Sequence, residues 1–191
     1  MSGSVVIVTG SPGVGKSTVS ARLAERAERS VHLESDHFFR FLAAGRIAPY
    51  LNEAEAQNDT VIDAIAAAAR TYAEGGYLVV WDGILGPWYL DRARAGLGDV
   101  PVDYLVLRAP LDTALARIGG RGDDVDETGV VVMHPKFEDL GSLEAHVVDA
   151  APSVDDVAAR CVHMIEGGRA RLTGSAGQGG EIQGVRDEPE V

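Results

Sequence analysis

The feature that most constrains this chain is a set of apolar runs that do not alternate with polar residues: Val5-Val6-Ile7-Val8, Tyr77-Leu78-Val79-Val80-Trp81 and Tyr104-Leu105-Val106-Leu107. A strand with one face in water reads apolar, polar, apolar. An unbroken β-branched run is buried on both faces, which a parallel sheet covered by helices provides. Weaker runs of the same kind occur at Val31 to Leu33 and His146 to Val148. Segments with helical spacing lie between them. Val61, Ile65, Ala68 and Tyr72 form one stripe, and Leu111, Ala114, Leu115 and Ile118 another. A third runs through Val154, Val157, Ala158, Cys161, Val162 and Ile165, with Ser153 as N-cap and Asp156 at N3. Strand and helix alternate throughout, which predicts an α/β domain of three layers.

The first run leads into Gly10-Ser11-Pro12-Gly13-Val14-Gly15-Lys16-Ser17-Thr18, a complete match to G-x-x-x-x-G-K-[ST]. Val19, Leu23 and Ala27 then mark one side of a helix, so the motif has the strand before it and the helix after it that its chemistry requires. Glycines let successive backbone N–H groups converge on a phosphate, and the helix N-terminus adds partial positive charge. In this geometry Lys16 reaches the β- and γ-phosphates and Ser17 offers its hydroxyl to Mg²⁺. Residues 10–18 are therefore the candidate nucleotide site, with Mg²⁺ beside it.

Composition narrows the partners. The 191 residues suit one domain, and a net charge of −12 argues against a nucleic-acid-coating surface, which needs a basic face. No apolar run approaches the roughly 20 residues of a membrane span, and the N-terminus lacks the basic and apolar regions of a signal peptide. The single cysteine, Cys161, excludes an internal disulfide. A cytoplasmic protein with no membrane or nucleic-acid partner is the expectation.

Taken together, the loop, Leu33-Glu34-Ser35-Asp36-His37-Phe38, Val79-Val80-Trp81-Asp82-Gly83, and Leu107-Arg108-Ala109-Pro110-Leu111 with Arg117 and Arg121 resemble the small P-loop kinases. This group holds shikimate kinase, gluconate kinase, chloramphenicol phosphotransferase and the zeta toxins. The resemblance runs over about residues 4–166. It implies a P-loop NTPase fold with a five-stranded parallel sheet of order 2-3-1-4-5, ATP with Mg²⁺, and a lid over the phosphates. It also implies an aspartate after the second strand that takes the proton of the acceptor hydroxyl, a position Asp36 matches, and arginines near the lid that neutralise the transferred phosphoryl group, which Arg117 and Arg121 match. Arg108 is a further candidate of that kind.

Each candidate has a structural alternative. Asp36 at the end of a strand stands where open α/β sheets place ligand-binding residues, and it also suits the cap of a helix beginning at His37, as does Ser35. Asp82 closes an apolar strand in the manner of a Walker B carboxylate, or else is a turn residue before Gly83. Trp88 and Tyr89, with Phe38, Phe39 and Phe41, suit an aromatic acceptor pocket or the packing of two helices; Asp36, Phe39 and Trp88 are its leading members. His37, His134, Lys136 and Asp149 carry no assignment beyond surface or turn roles.

Residues 1–166 are expected to form the kinase domain, with a lid at about 119–141, and residues 167–191, which hold seven of the 23 glycines, a flexible tail. The expected activity is ATP-dependent phosphoryl transfer to a hydroxyl of a small molecule. Two rivals are a nucleoside or nucleotide kinase, for which only Arg40 and Arg46 precede Arg70 as cations, and an ATP-binding regulatory NTPase acting on a protein partner. The surplus acid is concentrated at Gly119 to Asp156; ordinary solubilising charge explains it first, and a flap that favours neutral or cationic acceptors over anionic ones is the alternative.

Overall fold

A computed structural model of the chain describes residues 3–119 and 127–173. Strands β1 (Ser4–Thr9), β2 (Ser30–Glu34), β3 (Leu78–Asp82), β4 (Val102–Arg108) and β5 (Val147–Asp149) form a single sheet of order β2-β3-β1-β4-β5. Every pairing between them is parallel. The expected fold and strand order are those observed.

The unbroken runs are explained by the two layers that cover the sheet. Val5 and Ile7 face α3 (Glu55–Glu74) and α4 (Pro87–Leu97), where Ile65, Ala93 and Leu97 are fully buried. Val6 and Val8 face the opposite layer, made by α1 (Lys16–Ala24) and α7 (Val154–Glu166) through Val19, Leu23, Val157 and Cys161. Successive side chains of one strand thus enter different cores, and neither face can be polar. Each such side chain contributes about 1.5–3 kcal/mol over leaving it in water. The central strand β1, buried from Val5 to Thr9, is consequently the least tolerant of substitution. The two weaker runs are the edge strands: β2 buries only Leu33 fully, and β5 is three residues long.

Ser153 caps α7 as expected, accepting from the backbone N–H of Asp156 at 3.3 Å. The segment after α7 departs from expectation. Residues 167–173 do not begin a free tail: the N–H of Tyr104 donates to the carbonyl of Ala170 at 2.8 Å, and the N–H of Leu172 to Val102 at 3.0 Å. Ala170 is fully buried, and Arg171 pairs with Asp103 at 3.1 Å. These residues cover the open edge of β4 beyond the short β5, an edge that would otherwise expose unpaired backbone. Glycine content pointed to disorder, but the demand of that edge prevailed. Residues 174–191 lie outside the described residues.

Parallel strands bring their carboxyl ends to one rim of the sheet. The order reverses across β1, because the chain passes from β3 over β1 to β4, and this opens a crevice at that rim. The loops after β1, β2, β3 and β4 all meet there.

Candidate active site

The loop between β1 and α1 owes its shape to three glycines, Gly10, Gly13 and Gly15, with φ of 138°, 81° and 98°. A Cβ on Gly13 would stand 2.4 Å from the carbonyl oxygen of Ala114, so helix α5 (Leu111–Gly119) packs directly on the loop backbone. Gly15 is the left-handed N-cap of α1, and Lys16 is its first residue. The Lys16 Nζ donates to the carbonyl of Ser11 at 3.0 Å, which folds the side chain back over the loop. Ser17 and Thr18 are exposed beside it.

Asp36 follows β2, but it does not cap a helix. Helix α2 (Ser35–Arg40) begins one residue earlier, with Glu34 at the N-cap and no side-chain cap bond. The Ser35 hydroxyl instead accepts from the indole N–H of Trp81 at 2.8 Å, in the core. Gly83 is needed for this contact, since a Cβ there would lie 2.0 Å from the Ser35 Oγ. The pair pins the start of α2, so the neighbouring Asp36 is held at the rim. Its exposed carboxylate has no hydrogen bond or ion pair with any described residue.

Asp82, at the end of β3, is 4% exposed and lies 3.4 Å from the Nε2 of His32 on β2. The hydrogen bond that the ring donates to the Asp82 carboxylate, opposed by burial, holds His32 above its usual range. Among the described residues no three His, Cys, Asp or Glu side chains group as a metal site. Mg²⁺ commonly binds through one or two protein ligands plus substrate phosphates, so the lack of such a group does not bear on that ion.

A cavity of about 450 Å³ opens next to the loop, reaching from Pro12 past Asp36 to Trp88. Asp36, Phe39 and Trp88 all line it, together with Tyr89. Phe38 and Phe41 do not: Phe41 is 74% exposed, and the two rings pack on each other at 5.5 Å. Trp88 stands edge-on to Phe137 at 5.5 Å. From the expected lid, Gly129 and Met133 of α6 (Glu127–Met133) and Lys136 close one wall.

A further wall carries no motif in the sequence. Tyr50, Glu55, Asn58, Asp59 and Ile62 also line the cavity. The Gln57 amide bonds the backbone of Ile47 twice, accepting from its N–H at 2.8 Å and donating to its carbonyl at 2.9 Å. Asn58 Nδ2 donates to the carbonyl of Pro49 at 2.7 Å. Two adjacent amides at the start of α3 thus fix the segment 46–52 as a wall. Glu55, Asn58, Asp59 and Ile62 recur at helical spacing, and a mixed stripe of that kind was the available signal.

Of the two arginines expected near the lid, only Arg117 is among the described residues. Arg117 turns away from the cavity and donates to the carbonyls of Val14 at 3.2 Å and Ala150 at 3.0 Å. It lines a second cleft of about 200 Å³ with Gly15, Thr18, Pro152 and Val157. Forked donors expected at a transferring phosphoryl group are committed instead to main-chain oxygens that join the loop to the β5–α7 turn. Arg121 lies outside the described residues. Arg108 is tied to the Phe137 carbonyl and, through both Nη atoms, to Glu144 at 3.0 and 2.7 Å, a structural position. His134 is buried against the Ala109 carbonyl at 2.9 Å. No described helix is long and apolar enough to cross a membrane.

A glycine loop on a helix N-terminus, at the switch point of a 2-3-1-4-5 sheet and facing a cavity, defines the class: the fold is that of the small P-loop kinases. A family described as an AAA domain, AAA_33, matches residues 5–140, and the chain belongs to it. No curated protein sequence matches the chain. Among solved structures, an unliganded sugar kinase from Janibacter sp. HTCC2649 is similar with a TM-score of 0.69 at 20% identity, covering 86% of this chain and 95% of that one. A gluconokinase from Sinorhizobium meliloti 1021 gives 0.64 at 20%, covering 86% and 91%. The APS kinase of Mycobacterium tuberculosis in complex with AMPPNP and APS gives 0.63 at 20%, covering 86% and 98%.

Proposed function

We propose that the chain is an ATP-dependent phosphotransferase that moves the γ-phosphoryl group to a hydroxyl of a small molecule. The observation that carries this reading is the single cavity that has the phosphate loop at one end, at Pro12, and the unpaired carboxylate of Asp36 on its wall. A regulatory NTPase has no need of an acceptor space there. The sugar kinase, gluconokinase and APS kinase neighbours support the same class of reaction.

Phosphoryl transfer asks the protein mainly for positioning and charge stabilisation. The loop amides of residues 10–18 hold the phosphates, with the Lys16 ammonium at the β–γ end once released from Ser11. Ser17 and Asp82 would hold Mg²⁺, which when bound offsets phosphate charge. Asp36 accepts the acceptor's proton as the hydroxyl oxygen bonds to the γ-phosphorus and the bond to the β–γ bridging oxygen breaks, leaving ADP. Arg117 lies in the smaller cleft with Gly15, and there it braces the loop through the Val14 and Ala150 carbonyls rather than serving the transferred group. Trp88 and Phe39 line the space for the acceptor body. Incubation with ATP, Mg²⁺ and a library of small alcohols, read by product mass, tests the proposal. A phosphate monoester supports it, and ATP hydrolysis that no alcohol alters contradicts it.

A further inference from the structure

We propose that the acceptor cavity selects alcohols without net negative charge: uncharged or cationic molecules with an apolar, ring-containing body. This inference rests on the phosphotransferase reading of the same cavity. Its walls are the rings of Phe39, Tyr50, Trp88 and Tyr89, with Ile62 and Ile84 beside them. Three carboxylates, Asp36, Glu55 and Asp59, line it against two cations, Arg46 and Lys136.

The pairing of these groups decides the sign. Asp59 is held by Arg92 at 2.7 Å, so its charge is offset from outside the cavity. Asp36 and Glu55 have no hydrogen bond or ion pair with any described residue. On the other side, the Lys136 ammonium sits 5.5 Å above the Trp88 ring, and both Lys136 and Arg46 are exposed. Water screens these cations and the equally exposed Asp36 and Glu55 alike. The difference lies in pairing: Lys136 is already drawn to the Trp88 ring, whereas the two carboxylates, one of them the base, have no counter-charge among the described residues, so an anionic group on the acceptor meets net repulsion. A neutral body avoids the repulsion and buries against the rings. A cationic one gains from Asp36 and Glu55 and from aromatic faces of the kind that Lys136 already occupies.

Three benzyl alcohols whose para group is anionic, neutral or cationic test this: 4-(hydroxymethyl)benzoate, its carboxamide, and 4-(aminomethyl)benzyl alcohol. Their binding to the full chain is read by ligand-observed NMR titration, and transfer from ATP·Mg²⁺ by product mass. The carboxamide and the amine are expected to bind about tenfold tighter than the benzoate. Glu55→Lys is expected to shrink that difference while leaving ATP affinity unchanged. A benzoate that binds as tightly as the carboxamide overturns the proposal, as does a failure of all three probes to bind. If the order of binding holds but no probe is phosphorylated, the charge selection stands and the phosphotransferase reading falls.

Discussion

Removing the Ser35 hydroxyl is expected to unsettle the protein far more than its size suggests. In Ser35→Ala the indole N–H of Trp81, on a side chain with 0% exposure, loses its partner at 2.8 Å and has no water to replace it. An unsatisfied buried donor costs about 1–3 kcal/mol, against well under 1 kcal/mol for trimming a hydroxyl elsewhere. Trp81→Phe removes the donor and leaves a gap, at about 2 kcal/mol. The two losses are not additive: once the indole is gone, Ser35→Ala deprives nothing of a bond and should cost less than about 0.5 kcal/mol more. The double-mutant cycle therefore has a coupling of about 1–2 kcal/mol. Urea unfolding followed by circular dichroism resolves this, because with a slope of about 1–3 kcal/mol/M the Ser35→Ala midpoint falls by about 1 M. Costs that simply add, within about 0.5 kcal/mol, would refute the buried bond and with it the account of how Asp36 is held at the rim.

Gln57→Met keeps length and removes both bonds to Ile47; stability should fall by about 1–2 kcal/mol, and hydrogen exchange at the Ile47 amide should speed up while ATP affinity, read by calorimetry, stays constant. Gly13→Ala, with a φ of 81° and a Cβ 2.4 Å from the Ala114 oxygen, should lose nucleotide affinity and stability together, whereas Gly45→Ala, at φ 70° with no atom near its Cβ, should lower the thermal midpoint only slightly. Burial pushes the Cys161 thiol up to about 12, so it stays protonated and should resist a disulfide reagent at pH 8 until the chain is unfolded. Between the usual 9.0 and about 12 only the unfolded chain ionises at Cys161, so its contribution to stability should decline as pH rises through that window, a trend absent in Cys161→Ala.

The fold was legible because its signals are local. Unbroken apolar runs, the glycine loop and the Ser153 cap each need only a few consecutive residues, and each appears where the pattern places it. Asp36, Phe39 and Trp88 come to one cavity for the same reason: loops after parallel strands meet at one rim. What the sequence hid depends on distant partners. Nothing near Arg117 reveals the carbonyls of Val14 and Ala150 that occupy it. The bond between Ser35 and Trp81 joins residues 46 apart, and the edge of β4 that orders Ala170 lies 66 positions upstream. Gln57 and Asn58 looked like ordinary helix residues until the loop they hold was in place.

If Asp36 and the phosphate loop act on one acceptor, label passes from [γ-³²P]ATP to an organic alcohol at a rate that differs between wild type and Asp36→Asn. Wild type should yield a labelled phosphate ester, and Asp36→Asn should yield it about 10²–10⁴-fold more slowly at unchanged ATP affinity. Label found only as inorganic phosphate, or equal transfer by both proteins, would contradict the account.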